Sequence, residues 1–188
     1  MAIRATTDYA VLGMLTFKPM SGYEIRATIG ESIAYFWAES YGQIYPALKR
    51  LTREKLVTRT TGRAGRRLRH QYAITAAGRE ALAEWLRNPP APAVPRNGLL
   101  FKLFFARYFS PDVAVQHVQR FRAEQEVEHL RCESLEEQLY EQHGKNPDLV
   151  YWLITLRFGQ LEAEAHLRWA EEALQILAEL QAPAAQAN

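Results

Sequence analysis

The feature that most narrows the fold is a change of period between Tyr41 and Ile74. Tyr41, Ile44, Tyr45, Leu48 and Leu51 recur every three or four residues, so a helix over Ser40–Glu54 gathers them on one stripe. After Leu56 the repeat shortens. Val57-Thr58-Arg59-Thr60-Thr61 and Arg69-His70-Gln71-Tyr72-Ala73-Ile74 are β-prone, with Tyr72 and Ile74 alternating to one face. Between them, Gly62-Arg63-Ala64-Gly65-Arg66-Arg67 holds two glycines and three arginines, the composition of an exposed turn. Pro46 has no N–H to give, so it must lie in or near the first turn of the helix or distort it locally.

The flanks complete a pattern. Thr6 or Thr7 caps a helix through Val11, Leu12 and Leu15, with Asp8 in its first turn. Lys18 to Gly22 ends it. A second helix starts near Ser21, with Glu24 placed for a capping box and Tyr23, Ile25 and Ile29 as its apolar contacts. Thr75 caps a fourth helix containing Ala81, Leu82, Trp85 and Leu86. Three helices, a hairpin and another helix is the order of a winged helix.

Pro89, Pro90, Pro92 and Pro95 then forbid a helix interior and mark a connector. The expected organisation is a winged-helix domain over residues 1–88, a proline-rich linker over 89–98 and a helical dimerisation domain over 99–182. Leu99 to Phe109 is apolar nearly all round and should be buried, against a second chain in one arrangement. Ser110-Pro111-Asp112 and Asn146-Pro147-Asp148 each carry a helix start, and His143-Gly144 ends the first of these helices. In the last helix Leu149, Leu153, Leu156, Gln160, Ala163, Leu167, Ala170, Leu174 and Leu177 are spaced 4, 3, 4, 3, the seam of a coiled coil. Leu149, Trp152, Leu153, Leu156, Ala163, Leu167, Trp169, Leu174 and Leu177 are the dimerisation residues on this reading. Packing against the preceding helix of the same chain competes with a dimer, and the two can coexist. The fold class expected is mainly α, a winged helix-turn-helix with a two-stranded wing followed by a coiled-coil-like helical domain.

Charge separates the halves. Residues 1–90 carry 14 Lys/Arg and 7 Asp/Glu, residues 91–188 carry 9 and 14, and Lys49 to Arg69 alone holds nine basic residues against Glu54. A basic front and an acidic back suit a polyanion-binding domain joined to an assembly domain. The third helix would enter the major groove of double-stranded DNA, with the hairpin along the backbone. Gln43, donor and acceptor at once, is the candidate for base readout. Ser40 is either a base contact or only an N-cap. Lys49, Arg50 and Arg53 lie further along and suit phosphates, and Arg63, Arg66, Arg67 and Arg69 in the wing add phosphate or minor-groove contacts. Ala47 falls on the same outward face as Gln43 and Arg50 by this count. Ser21, Tyr23, Tyr41 and Tyr45 complete the candidate interface, the last two as partly buried aromatics whose hydroxyls reach the DNA. His70 reads as a cross-strand surface residue.

Met20-Ser21-Gly22-Tyr23-Glu24-Ile25, Phe36-Trp37 and Ser40-Tyr41-Gly42-Gln43-Ile44-Tyr45-Pro46-Ala47-Leu48-Lys49-Arg50-Leu51 closely resemble the PadR family of bacterial transcriptional regulators. So does the corner Tyr72-Ala73-Ile74-Thr75-Ala76-Ala77-Gly78-Arg79. Past the connector, Leu103-Phe104-Phe105 with Trp152, Gly159 and Trp169 look like the C-terminal helical domain of the longer PadR subgroup. The resemblance implies a homodimeric repressor on a pseudo-palindrome, released when a small aromatic or phenolic molecule binds. It also admits an effector-independent activator of the same architecture. Phe36, Trp37, Phe105, Tyr108, Trp152 and His166 are the candidate effector contacts, and core or dimer packing is the competing account of the same aromatics.

Other classes find little support. No phosphate-binding glycine loop or His-Glu-x-x-His occurs, so neither cofactor nor metal is expected, and an enzyme is not. Cys132 lies among Glu133, Glu136 and Glu137, which would raise its pKa, a poor setting for a nucleophile. A small-molecule-binding helical protein without DNA would explain only the back half. Met1 to Phe17 lacks the layout of a signal peptide, no apolar run reaches the ~20 residues needed to cross a bilayer, and a single cysteine fits a reducing setting, so the expectation is a cytoplasmic protein with no membrane partner.

Overall fold

The first helix, α1 (Thr6–Phe17), begins one residue before the expected caps: Ala5 occupies the N-cap without a side-chain bond, and Thr6 and Thr7 are already helical. Asp8 does sit in the first turn. The computed structural model describes residues 5–37, 41–64, 67–90, 92, 96–108 and 110–181, which fall into two compact units, 1–92 and 93–188.

In the first unit α2 (Gly22–Ser32) is capped as its sequence predicts. Ser21 Oγ accepts from the Glu24 amide, and the Glu24 carboxylate accepts from the Ser21 amide at 2.7 Å. Ile25 and Ile29 are buried, but Tyr23 points to solvent. Helix α3 (Tyr41–Arg53) continues through Pro46, its sixth residue, just past the first turn. It ends on Lys55, whose φ of 59° places it in the left-handed region, and the Leu56 amide donates back to the Leu51 carbonyl.

Strands β1 (Val57–Ala64) and β2 (Arg67–Ile74) pair antiparallel from Val57↔Ile74 to Ala64↔Arg67. The ladder therefore consumes most of the expected six-residue turn, leaving Gly65 and Arg66, which lie outside the described residues. Met20 bridges Tyr72 through two backbone hydrogen bonds of 2.8 and 3.0 Å, tying the start of α2 to the hairpin. Thr75 caps α4 (Ala76–Arg87) by accepting from the Gly78 amide, and its hydroxyl donates toward the Lys55 and Leu56 carbonyls. Val11, Leu12, Leu15, Ile25, Ile29, Ile44, Leu48, Leu51 and Val57 form one core, each large side chain contributing about 1.5–3 kcal/mol by leaving water. Trp85 stacks on Tyr9 with centroids 4.6 Å apart while Leu86 is exposed, so α4 is only partly a core helix.

In the second unit Asn97 caps the short α5 (Gly98–Phe104), and a 3-10 turn (Ala106–Tyr108) follows. Phe101, Phe104 and Tyr108 are exposed in the single chain, so the burial expected of this segment is not met within one chain. Ser110 caps α6 (Pro111–His143), and Asn146 Oδ1 accepts from the Asp148 amide ahead of α7 (Leu149–Gln181). The two long helices form an antiparallel hairpin, with Gln125 facing His166, Glu136 facing Gln160 and His143 facing Trp152. The 4-3 seam of α7 closes on α6: Leu156, Ala163 and Ala170 are buried in the chain's own hairpin, and Gln160 in the middle donates to Glu136 at 2.7 Å. Among the described residues no helix is long and apolar enough to cross a membrane.

Candidate nucleic-acid interface

The interface is built from α3 outward. Ile44, Ala47, Leu48 and Leu51 face the core, which leaves Gly42, Pro46, Lys49 and Arg53 along the outer axis, with Gln43 and Tyr45 exposed on its flanks. This face is rotated by about one residue, ~100°, from the one the periodicity suggests. Two residues account for the rotation. Tyr45 counts as apolar in sequence but is 49% exposed, whereas Ala47, small enough to let α1 approach, is fully buried.

Arg50 changes role. Its Nη2 lies 2.5 Å from Asp8 Oδ1 and its Nε donates to Oδ2 at 3.4 Å, so the guanidinium grips a carboxylate on α1. That hydrogen bond is the first cause of the raised Arg50 pKa. Sequence spacing assigned Arg50 to phosphate and could not reveal a partner 42 positions away. Lys49 and Arg53 remain on the outer face, Arg53 with a loose contact to Glu54 at 3.8 Å.

Ser21 is also committed elsewhere. It is buried, and its hydroxyl donates to the Glu24 carboxylate at 2.7 Å. Glu24 in turn accepts from Gln71 Nε2 at 3.4 Å, joining α2 to the wing strand. Tyr23, 64% exposed, and Tyr45 are the aromatic groups this corner presents. A Cβ on Gly22 would meet the Tyr45 ring at 2.8 Å, so glycine there lets α3 lie against the start of α2.

On the wing, Arg59 is exposed and Thr61 meets His70 Nδ1 at 3.0 Å, the cross-strand surface pair expected of His70. Ser40 and Arg66 lie outside the described residues, as do the side chains of Tyr41, Arg63, Arg67 and Arg69. The register nevertheless opposes Arg69 to Gly62 and Arg67 to Ala64, close to the tip.

Of the six candidate effector residues, Phe36 and Trp37 belong to the first unit and Phe105, Tyr108, Trp152 and His166 to the second. Trp152 packs edge-on to His143, and His166 meets Phe121 and Gln125; fourteen residues, about 21 Å of α7, separate the two. Phe36 is exposed in the first unit and Trp37 half-buried. Phe105 does line a cavity of about 480 Å³ with Phe101, Lys102, Leu103, Val113, Ala114 and His117, whereas Tyr108 projects into solvent. Trp169 packs on Phe121, and Leu149, Leu153, Leu167, Leu174 and Leu177 are half-buried. Cys132 is buried on α6, and its thiol pKa is pushed up first by that burial and then by Glu128.

Comparison with known proteins matches both halves. Residues 11–84 match the transcriptional regulator PadR-like family, and residues 95–178 match the virulence activator alpha C-terminal domain. The negative transcriptional regulator PadR of Bacillus subtilis is 28% identical over 90% of this chain and 96% of its own length. The crystal structure of that protein with operator DNA superposes with a TM-score of 0.78 at 26% identity, covering 92% of this chain and 99% of that one. Its complex with p-coumaric acid gives 0.72 at 26% identity over 93% and 99%. The Vibrio cholerae virulence activator AphA gives 0.73, also at 26% identity over 93% and 99%. A winged helix whose third helix is basic on its outer face, followed by a long helical hairpin, thus agrees with relatives along nearly its whole length, and the chain belongs to the PadR-like transcriptional regulators, in the group carrying the virulence-activator type of C-terminal domain.

Proposed function

We propose that the chain is a cytoplasmic, homodimeric repressor that binds a pseudo-palindromic operator in double-stranded DNA. The observation that carries this reading is the outer face of α3, where Lys49 and Arg53 stand beside an exposed Gln43 and ahead of a basic hairpin. Such a face fits the major groove, with cations toward phosphate and an amide toward base edges. Residues 1–88 read the DNA, 89–98 connect, and 99–182 hold the dimer, with no catalytic step. Repression is favoured by the Bacillus relative, described as a negative regulator. The test is a mobility-shift titration with the DNA upstream of the neighbouring genes against random duplex; no binding at low salt sinks the proposal.

Release by a small aromatic molecule belongs to the same reading. It is supported by the cavity between α5 and α6, whose walls are aromatic and aliphatic with Lys102, Ser110 and His117 as the polar residues. A carboxylate with an apolar body suits that lining. Adding p-coumarate to the protein–DNA complex should free the DNA. An activator that responds to no ligand is the second reading, favoured by the likeness to AphA; the complex would then persist at every concentration of the acid.

A further inference from the structure

We infer that Arg50 is a positioning residue: through Asp8 it sets the angle at which the recognition helix is presented, and it is not one of the phosphate contacts. The inference rests on the DNA-binding reading above. Asp8 is only 3% exposed and receives two hydrogen bonds from one guanidinium, at 2.5 and 3.4 Å. A fork that closes on a buried carboxylate fixes orientation as well as distance, which a point cation does not. The same pairing neutralises the charge that a phosphate would need.

The position of the pair gives it leverage. Arg50 lies in the C-terminal half of α3 and Gln43 near its start, seven residues or about 10 Å away along the axis. A tilt of about 10° about the Asp8 anchor moves Gln43 by ~2 Å, enough to lose a hydrogen bond to a base edge while charges further out still reach phosphate. Ala47 and Leu48 pack the helix on the core without choosing that angle alone, because apolar contact is not directional.

Three variants test this: Asp8→Asn, which removes the charge without leaving a buried one unpaired, Arg50→Lys, which keeps the cation but loses the fork, and Arg50→Gln. Each is measured beside the wild type for thermal unfolding, for affinity as a function of salt, and for the ratio of specific to random-duplex binding. The specific DNA is the sequence the wild type enriches from a randomised library. Asp8→Asn and Arg50→Lys should lower the ratio about tenfold, and all three should keep the salt slope undiminished. A phosphate contact behaves in the opposite way: Asp8→Asn keeps the ratio, Arg50→Lys is nearly silent, and Arg50→Gln loses about one unit of slope. That pattern overturns the inference. If Asp8→Asn unfolds, Arg50→Lys decides alone. A folded wild type that binds no DNA defeats the DNA-binding reading itself, and the inference with it.

Discussion

Two residues show how far single positions govern this molecule. Gln43 stays exposed beside the outer axis of α3, so its amide suits the pairing of a donor and an acceptor that base edges offer in the major groove. Gln43→Ala should reduce the preference for operator over random duplex by about 1–3 kcal/mol, with random-duplex affinity nearly unchanged, as read by competition titration. Gly78 acts on the fold. A Cβ there would lie 2.2 Å from the Leu56 carbonyl and 2.8 Å from Ile74 Cγ1, both fixed parts of the corner between wing and α4. Gly78→Ala should cost at least about 1–3 kcal/mol in denaturant unfolding, the scale of overpacking, although alanine is the better helix former. Nothing local in the sequence announces this, since a glycine early in a helix reads only as weak propensity. The same blindness hid the partner of Arg50, because spacing gives faces and not the carboxylate that another helix brings.

At the scale of elements the sequence was informative wherever the controlling interaction is local. The capping box of α2, the Thr75 cap of α4 and the proline start of α6 are set by groups within three residues, and all three form as written. The wing's strands were legible from β-branched alternation, but their length was not. Register depends on cross-strand pairing, and the ladder extends through Gly62, Arg63 and Ala64. Arg63, Arg67 and Arg69 are therefore ladder positions and not turn positions. Replacing Arg66 and Arg67 by alanine should weaken binding to all duplexes alike. It should also flatten the salt dependence by roughly two units, because each phosphate that an arginine neutralises adds about 0.9 to the slope. A double variant that kept the full slope would remove the wing from the interface.

For the whole molecule, the question is which surface makes two chains from one. The 4-3 seam of α7 was plain in the sequence, but a seam does not say which helix covers it, and here α6 of the same chain does. A dimer is then expected to draw on what the hairpin leaves over, beside the seam leucines that stay half-buried. Val150, Ile154, Phe158 and Leu161 recur at four- and three-residue spacings on the far side of α7 and are all exposed, Phe158 at 63%, while Val127 and Leu130 are exposed on α6. A contiguous apolar stripe of that kind marks an association surface. The two faces of α7 predict separable defects. Leu156→Ala opens a cavity inside the hairpin and should cost about 2–5 kcal/mol of unfolding free energy. Phe158→Glu leaves the buried seam intact and places a charge where a second chain would sit, so light scattering should report a monomer with a near-normal unfolding transition of the isolated fold. Since two half-sites are read only when two heads are tethered, that monomer should also lose operator affinity by far more than random-duplex affinity. A Phe158→Glu protein that remained dimeric at micromolar concentration would place the contact elsewhere, with the exposed aromatic residues of α5 the next surface to alter.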